Sequence, residues 1–103
     1  MSVTFYDPEN PPCYDCEGDK IGGGTELNLS NSNAYNLLQF MGFQDMYCGD
    51  IDGEEFRKRI ALALASIDLF SSNPNLNYYH SYIKEKLLRL ETIFMDANRV
   101  CWE

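Results

Sequence analysis

Basic side chains are scarce in this chain: eight Lys and Arg stand against sixteen Asp and Glu, and there is a single histidine. Without a Lys/Arg stripe to displace counterions from phosphates, direct binding to nucleic acid is not expected. No apolar run approaches the roughly 20 residues that span a bilayer, so no membrane insertion is expected either. The N-terminus lacks the basic, then apolar, pattern of a secretory leader, which points to the cytoplasm. Four cysteines in that setting read as reduced thiols or metal ligands rather than as a disulfide framework.

What is present suffices for one core. Apolar residues make up 45% of 103 residues, with seven Tyr, six Phe and one Trp, enough to offset the entropy of ordering the chain as a single domain. The charge is unevenly placed. Eleven of the sixteen acids fall in residues 1–55 with Lys20 as the sole base, a net of −10, whereas residues 56–103 carry +2. An acidic surface facing solvent or a basic partner follows.

Periodicity gives an α+β fold. Val3 and Phe5 alternate with Ser2, Thr4 and Tyr6, the period of a half-buried strand, and Leu27 and Leu29 repeat that pattern within residues 25–29. Between them residues 7–24 hold three prolines, Gly18 and Gly22-Gly23-Gly24, and read as a loop carrying the CxxC pair. Ser30 to Asn33 offer N-caps for a helix over 32–41. Gly42 supplies its left-handed stop, and Phe43 folds back on Leu38 in a Schellman ending. A turn at Tyr47-Cys48-Gly49 leads to Asp52, which caps a helix over 53–70 with Glu55 as the reciprocal partner of a capping box. The apolar face of that helix is Phe56, Ile60, Leu64 and Ile67, with Ala61, Ala63 and Ala65 for close packing. A third helix over 77–98, the longest, carries Tyr79, Ile83, Leu87, Leu90 and Phe94 inward. Arg99 to Trp102 is β-prone and joins the other two strands, giving a small antiparallel or mixed sheet of about three short strands packed on three helices.

The run Glu26 to Leu38, then Gly42, then Tyr47-Cys48-Gly49-Asp50 and the terminal Val100-Cys101-Trp102 resembles a group of small bacterial and phage-encoded proteins. In those, a strand with an Asn-rich turn enters a helix and a β-like tail ends in Trp. The resemblance covers about two thirds of the chain and implies a phage or mobile-element origin, hence a host cytoplasm. It carries over no activity and no catalytic residue.

Cys13-Tyr14-Asp15-Cys16 is the sharpest local pattern, since a CxxC turn lets two thiolates face one ion. Cys48 and Cys101, or His80 with either, would have to complete a zinc site. Free cysteines are the simpler reading, because zinc knuckles usually bring two similarly spaced pairs. A redox role needs a helix after Cys16, and none is expected. Asp50 to Glu55 suggests a calcium loop, yet aligning Gly53 with its invariant glycine puts Cys48 at the first ligand position and Arg59 where a bidentate Glu belongs. The three glycines at 22–24 lead into a strand and lack a following GK[ST], so they make no phosphate cradle. His80 has no recognisable nucleophile or acid partner. Asn28, Asn31, Asn33 and Asn36 are explained by capping and Asx turns.

The leading expectation is a non-enzymatic interaction module, an inhibitor or adaptor of a host protein, such as an anti-defence protein that occupies a basic groove by mimicking nucleic-acid charge. Its contact would fall on Asp15, Glu17, Asp19, Asp45, Asp50 and Asp52, with Tyr14 and Tyr47 as aromatic anchors. No cofactor is required. The alternatives are a zinc-stabilised domain held by Cys13, Cys16, Cys48 and Cys101, and an enzyme acting through Cys48 or Cys16 with His80. The aromatic content leaves room for a homodimer through the third helix.

Overall fold

The computed structural model describes residues 2–43, 48–70 and 77–103, with the side chains of 68–70 and 77–80 outside the description. The chain runs β1 (Ser2–Tyr6), β2 (Cys13–Tyr14), β3 (Lys20–Gly22), β4 (Leu27–Ser30), α1 (Asn31–Phe40), β5 (Gly49–Asp52), α2 (Gly53–Phe70), α3 (Asn77–Ile93) and β6 (Arg99–Trp102). Four strands form one sheet in the order β4-β1-β6-β5, antiparallel throughout, and β2 pairs with β3 as a separate two-stranded ribbon. The α+β class holds, but the sheet has four strands rather than about three, and the loop expected over 7–24 contains the ribbon.

Period-2 alternation decides which sheet face is dry. Val3 and Phe5 of β1, Leu27 and Leu29 of β4, and Val100 and Trp102 of β6 are buried on one face. They form one cluster with Ala34, Leu37 and Leu38 of α1, Phe56, Ile60 and Ile67 of α2, and Ile83, Leu87 and Leu90 of α3. Aromatic rings dominate its centre. Phe56 lies 6.3 Å from Phe5, 5.8 Å from Phe94 and 6.1 Å from Trp102 between ring centroids, and Phe43 lies 5.0 Å from Trp102. Such tilted and edge-on pairs add to what area burial supplies. Trp102 sits so close to Gly49 on the neighbouring strand that any side chain there would enter its ring. The Trp102 indole N–H is buried and has no hydrogen-bond partner among the described residues.

The helix termini explain where the elements stop. Ser30 caps α1 by accepting from the Asn33 amide at 3.4 Å. At the other end Phe43 N–H donates to Leu38 C=O and Gly42 N–H to Gln39 C=O, with Gly42 at φ +83°, a Schellman motif. Asp52 Oδ2 accepts from the Glu55 amide at 3.2 Å and caps α2, as its sequence position indicates. Glu55 itself takes the Nε of Arg59.

Two arginines of α2 finish other elements. Arg59 Nη1 donates to the carbonyls of Met41 and Gly42 past the end of α1, and Arg57 Nη1 to those of Phe94 and Ala97 past the end of α3. A cation is favoured at each place because helical carbonyls are left over there.

Three further expectations are corrected. The helix expected over 77–98 ends at Ile93: Phe94 and Ala97 stay buried in a turn, so apolar spacing continues after the helix has stopped. At 17 residues it is no longer than α2, which has 18. The turn expected at Cys48-Gly49 opens directly into β5, where Ile51 is the one large apolar residue among four. Of the three α2 alanines only Ala63 is buried, and Leu64 is half-buried.

Candidate functional site

The sheet face opposite the core carries the alternate residues of the same strands. Pairing sets them in rows: Asn28 opposite Thr4, Tyr6 opposite Cys101, Cys101 opposite Asp50, and Arg99 opposite Asp52. Thr4 N–H donates to Glu103 C=O at 2.8 Å and receives the Glu103 N–H at 3.2 Å, so Glu103 continues the pairing beside Thr4. Continuing the β1–β4 register past Phe5 and Leu27 places Glu26 beside Tyr6. Helices α1 and α2 pack their apolar stripes on the other face and α3 packs against those two helices, and Ser2, Asn28, Asp50, Asp52, Arg99 and Glu103 are exposed on this one. Thr4 and Tyr6 are half-buried there and Cys101 is buried, 8% exposed.

This outer face is internally ordered. Asn28 Nδ2 donates to Ser2 Oγ at 3.0 Å and to Thr4 Oγ1 at 2.8 Å, bridging β4 to β1. Arg99 places Nε and Nη2 on one oxygen of Asp50, at 2.8 and 2.6 Å, and this bond raises the guanidinium pKa further. Burial comes first in raising the Cys101 thiol above its ordinary range, and the Asp50 carboxylate adds to it. Burial likewise leads in raising the Tyr6 phenol, followed by the Glu103 charge and the Cys101 sulfur. Both groups therefore stay protonated at neutral pH, which makes Cys101 a poor nucleophile.

The β2–β3 ribbon rises beside this face. Its approach is shaped by Asp7, whose Oδ1 accepts from Glu9 N–H, and by Gly24 N–H donating to Asn10 C=O. Its tip is an Asx arrangement: Asp15 Oδ1 accepts from the amides of Glu17 and Asp19, both at 2.9 Å. At its base Asn98 Nδ2 donates to Glu9 Oε2. Between ribbon and sheet lies an open cleft of about 390 Å³. Thr4, Tyr6 and Glu103 form its floor, and Pro11, Pro12 and Tyr14 its wall. Glu26 closes the rim, accepting the Tyr14 hydroxyl at 2.7 Å; that bond is the main cause of the raised Tyr14 phenol. The cleft thus combines two carboxylates with flat aromatic and proline surfaces.

The residues singled out from sequence are scattered over this side. Tyr14 lines the cleft at 48% exposure. Asp15 is half-buried and holds the ribbon tip, with Glu17 and Asp19 exposed beside it. Asp50 pairs with Arg99 and Asp52 caps α2, both exposed on the outer face. Asp45 and Tyr47, and the side chain of His80, lie outside the described residues. Cys13 is on β2, Cys16 in the turn after it and Cys48 just before β5, all exposed, whereas Cys101 is buried in β6. Among the described residues no group of three or more His, Cys, Asp or Glu side chains converges as a metal-binding set. No described helix is long and apolar enough to cross a membrane.

The cleft residues Thr4, Tyr6, Pro11, Pro12, Glu26 and Glu103 were not picked out by motif. The alternation of β1 does set Thr4 and Tyr6 opposite Val3 and Phe5, but only strand register brings Glu26 and Glu103 to either side of them. Asn28, assigned from sequence to helix capping, serves instead as a cross-strand bridge. Asn31, Ser32, Tyr35 and Asn36 line a second, polar depression of about 310 Å³ on the first turns of α1. No protein-family model matches the chain, and neither a curated protein nor a solved structure matches it significantly.

Proposed function

We propose that this chain is a non-enzymatic interaction module whose outer sheet face and adjoining ribbon bind a basic surface of another protein. The observation that carries the reading is the uncovered face itself. Glu26, Asp50, Asp52 and Glu103 line it with Arg99 as the one base among the described residues of the face, and Glu17 and Asp19 extend the negative field along the ribbon, where Lys20 is the one base. Arg99 is paired with Asp50 and offsets that one carboxylate, while Arg57 and Arg59 are held on carbonyls past the ends of α3 and α1 rather than on this face. A Lys/Arg groove that ordinarily receives phosphates is the surface such a face fits, which suits an inhibitor or adaptor of a nucleic-acid-handling protein.

The test is partner capture with the intact chain and with a variant carrying Glu17→Gln, Asp19→Asn, Glu26→Gln and Glu103→Gln. A basic protein retained by the parent, lost by the variant and released as salt rises is the expected result. A partner held equally by both, or indifferent to salt, contradicts the proposal.

A further inference from the structure

We infer that the cleft between β1 and the β2–β3 ribbon receives one arginine side chain of the basic partner, an assignment that rests on the interaction reading above. An anion is excluded by the two carboxylates on its lining, and a purely apolar group would desolvate the charges of Glu26 and Glu103 without neutralising them. A cation satisfies them. At about 390 Å³ the space lies near the lower end of the roughly 300–1,000 Å³ of small-ligand pockets, room for one long side chain and its backbone rather than for a folded element.

The choice of guanidinium over ammonium follows from shape. Glu26 and Glu103 stand on opposite sides of β1, two strand spacings or about 10 Å across it and two residues or about 7 Å along it, since Glu26 lies beside Tyr6 and Glu103 beside Thr4. Carboxylates projecting from both sides suit a planar fork with donors along two edges better than a point charge, which is served by one of them. Tyr14 occupies one oxygen of Glu26, Oε1, which leaves Oε2 for a second donor. The Tyr6 and Tyr14 rings with Pro11 and Pro12 add flat, apolar surfaces on which a planar guanidinium stacks more readily than a strongly hydrated ammonium. The site is also held in place. The Asn28 bridge fixes the β4 side of the floor, backbone pairing fixes Glu103, and the Asp15 turn fixes the ribbon that carries Tyr14. Little ordering is left to be done on binding.

The experiment is an amide-resolved NMR titration of the full chain at low salt with Nα-acetyl-arginine methylamide and, separately, with its lysine counterpart. Saturable shifts centred on Thr4, Tyr6, Tyr14 and Glu26 with arginine, several-fold weaker with lysine, are expected. Glu26→Gln and Glu103→Gln should each weaken arginine binding about fivefold. Tyr14→Phe should retain it, and all three variants should melt with the parent. Equal response to both cations overturns the guanidinium assignment. Shifts spread over Glu17, Asp50 and Asp52 without saturation in the cleft overturn the cleft as the site but leave the acidic-face reading standing. If an arginine-rich peptide also fails to bind at low salt, both fall.

Discussion

The two faces of the four-stranded sheet are built from the same strands, residue by residue in alternation, and differ in every other respect. On one, Val3, Phe5, Leu27, Leu29, Val100 and Trp102 meet three helices and vanish from solvent. On the other, Asn28 bridges to Ser2 and Thr4, Tyr6 lies beside Cys101, and Asp50 pairs with Arg99. Burial fixes the first set as apolar, since each side chain removed there leaves a cavity. Nothing in packing demands that the second set be acidic. The polar bridge from Asn28 would serve as well beside neutral neighbours, and crowding Glu26, Glu103, Asp50 and Asp52 on one face with a single arginine adds self-repulsion. A feature that the fold does not require is where function is to be sought.

The contrast can be broken most severely from the core side. Phe56→Ala, which removes the ring shared by Phe5, Phe94 and Trp102, should cost about 3–5 kcal/mol by chemical denaturation and abolish partner binding only through unfolding. Gly49→Ala tests how tightly the faces are coupled through Trp102. The new methyl group enters the indole ring, and a loss of about 1–3 kcal/mol with altered Trp fluorescence is expected, although residue 49 belongs to an edge strand.

A smaller effect should come from alkaline pH. Tyr6 and Cys101 both have folded-state values raised above their ordinary 10.0 and 9.0, so the folded chain holds protons that the unfolded chain releases. Their contribution is fully present below about pH 9 and is lost as pH rises through the raised values. The fall in unfolding free energy above that pH should shrink in Cys101→Ser, measured by urea denaturation across the alkaline range.

Much of the dry face is legible from sequence, because its signals are redundant. In α1 the N-cap Ser30, the spacing of Ala34, Leu37 and Leu38, and the Gly42-Phe43 ending all point to one element. In α2 Asp52 and the Phe56–Ile60–Ile67 stripe do the same. The outer face is much less so. Strand β5 has Ile51 alone to set its period, flanked by Asp50 and Asp52 that read as the entry to a capped helix. The ribbon strands Cys13–Tyr14 and Lys20–Gly22 are exposed on both sides, so no alternation betrays them. Past Ile93, Phe94 and Ala97 continue the apolar spacing in sequence yet lie in a turn whose carbonyls Arg57 holds, a tertiary contact with no local signature. The charge pattern points to an acidic surface, and Glu17, Asp19, Asp50 and Asp52 are exposed, but the cleft needs register: Glu26 and Glu103 are 77 positions apart and come to either side of β1 only through strand pairing.

The central claim is that Glu17, Asp19, Glu26 and Glu103 of the outer face and ribbon are there for a partner and not for the fold. The direct measurement is the unfolding free energy, at low salt, of the variant carrying Glu17→Gln, Asp19→Asn, Glu26→Gln and Glu103→Gln beside that of the parent chain. Relief of self-repulsion predicts a value equal to or above the parent's. A loss of more than about 1 kcal/mol, beyond what exposed charges contribute, would show that these carboxylates hold the structure together and would contradict the account.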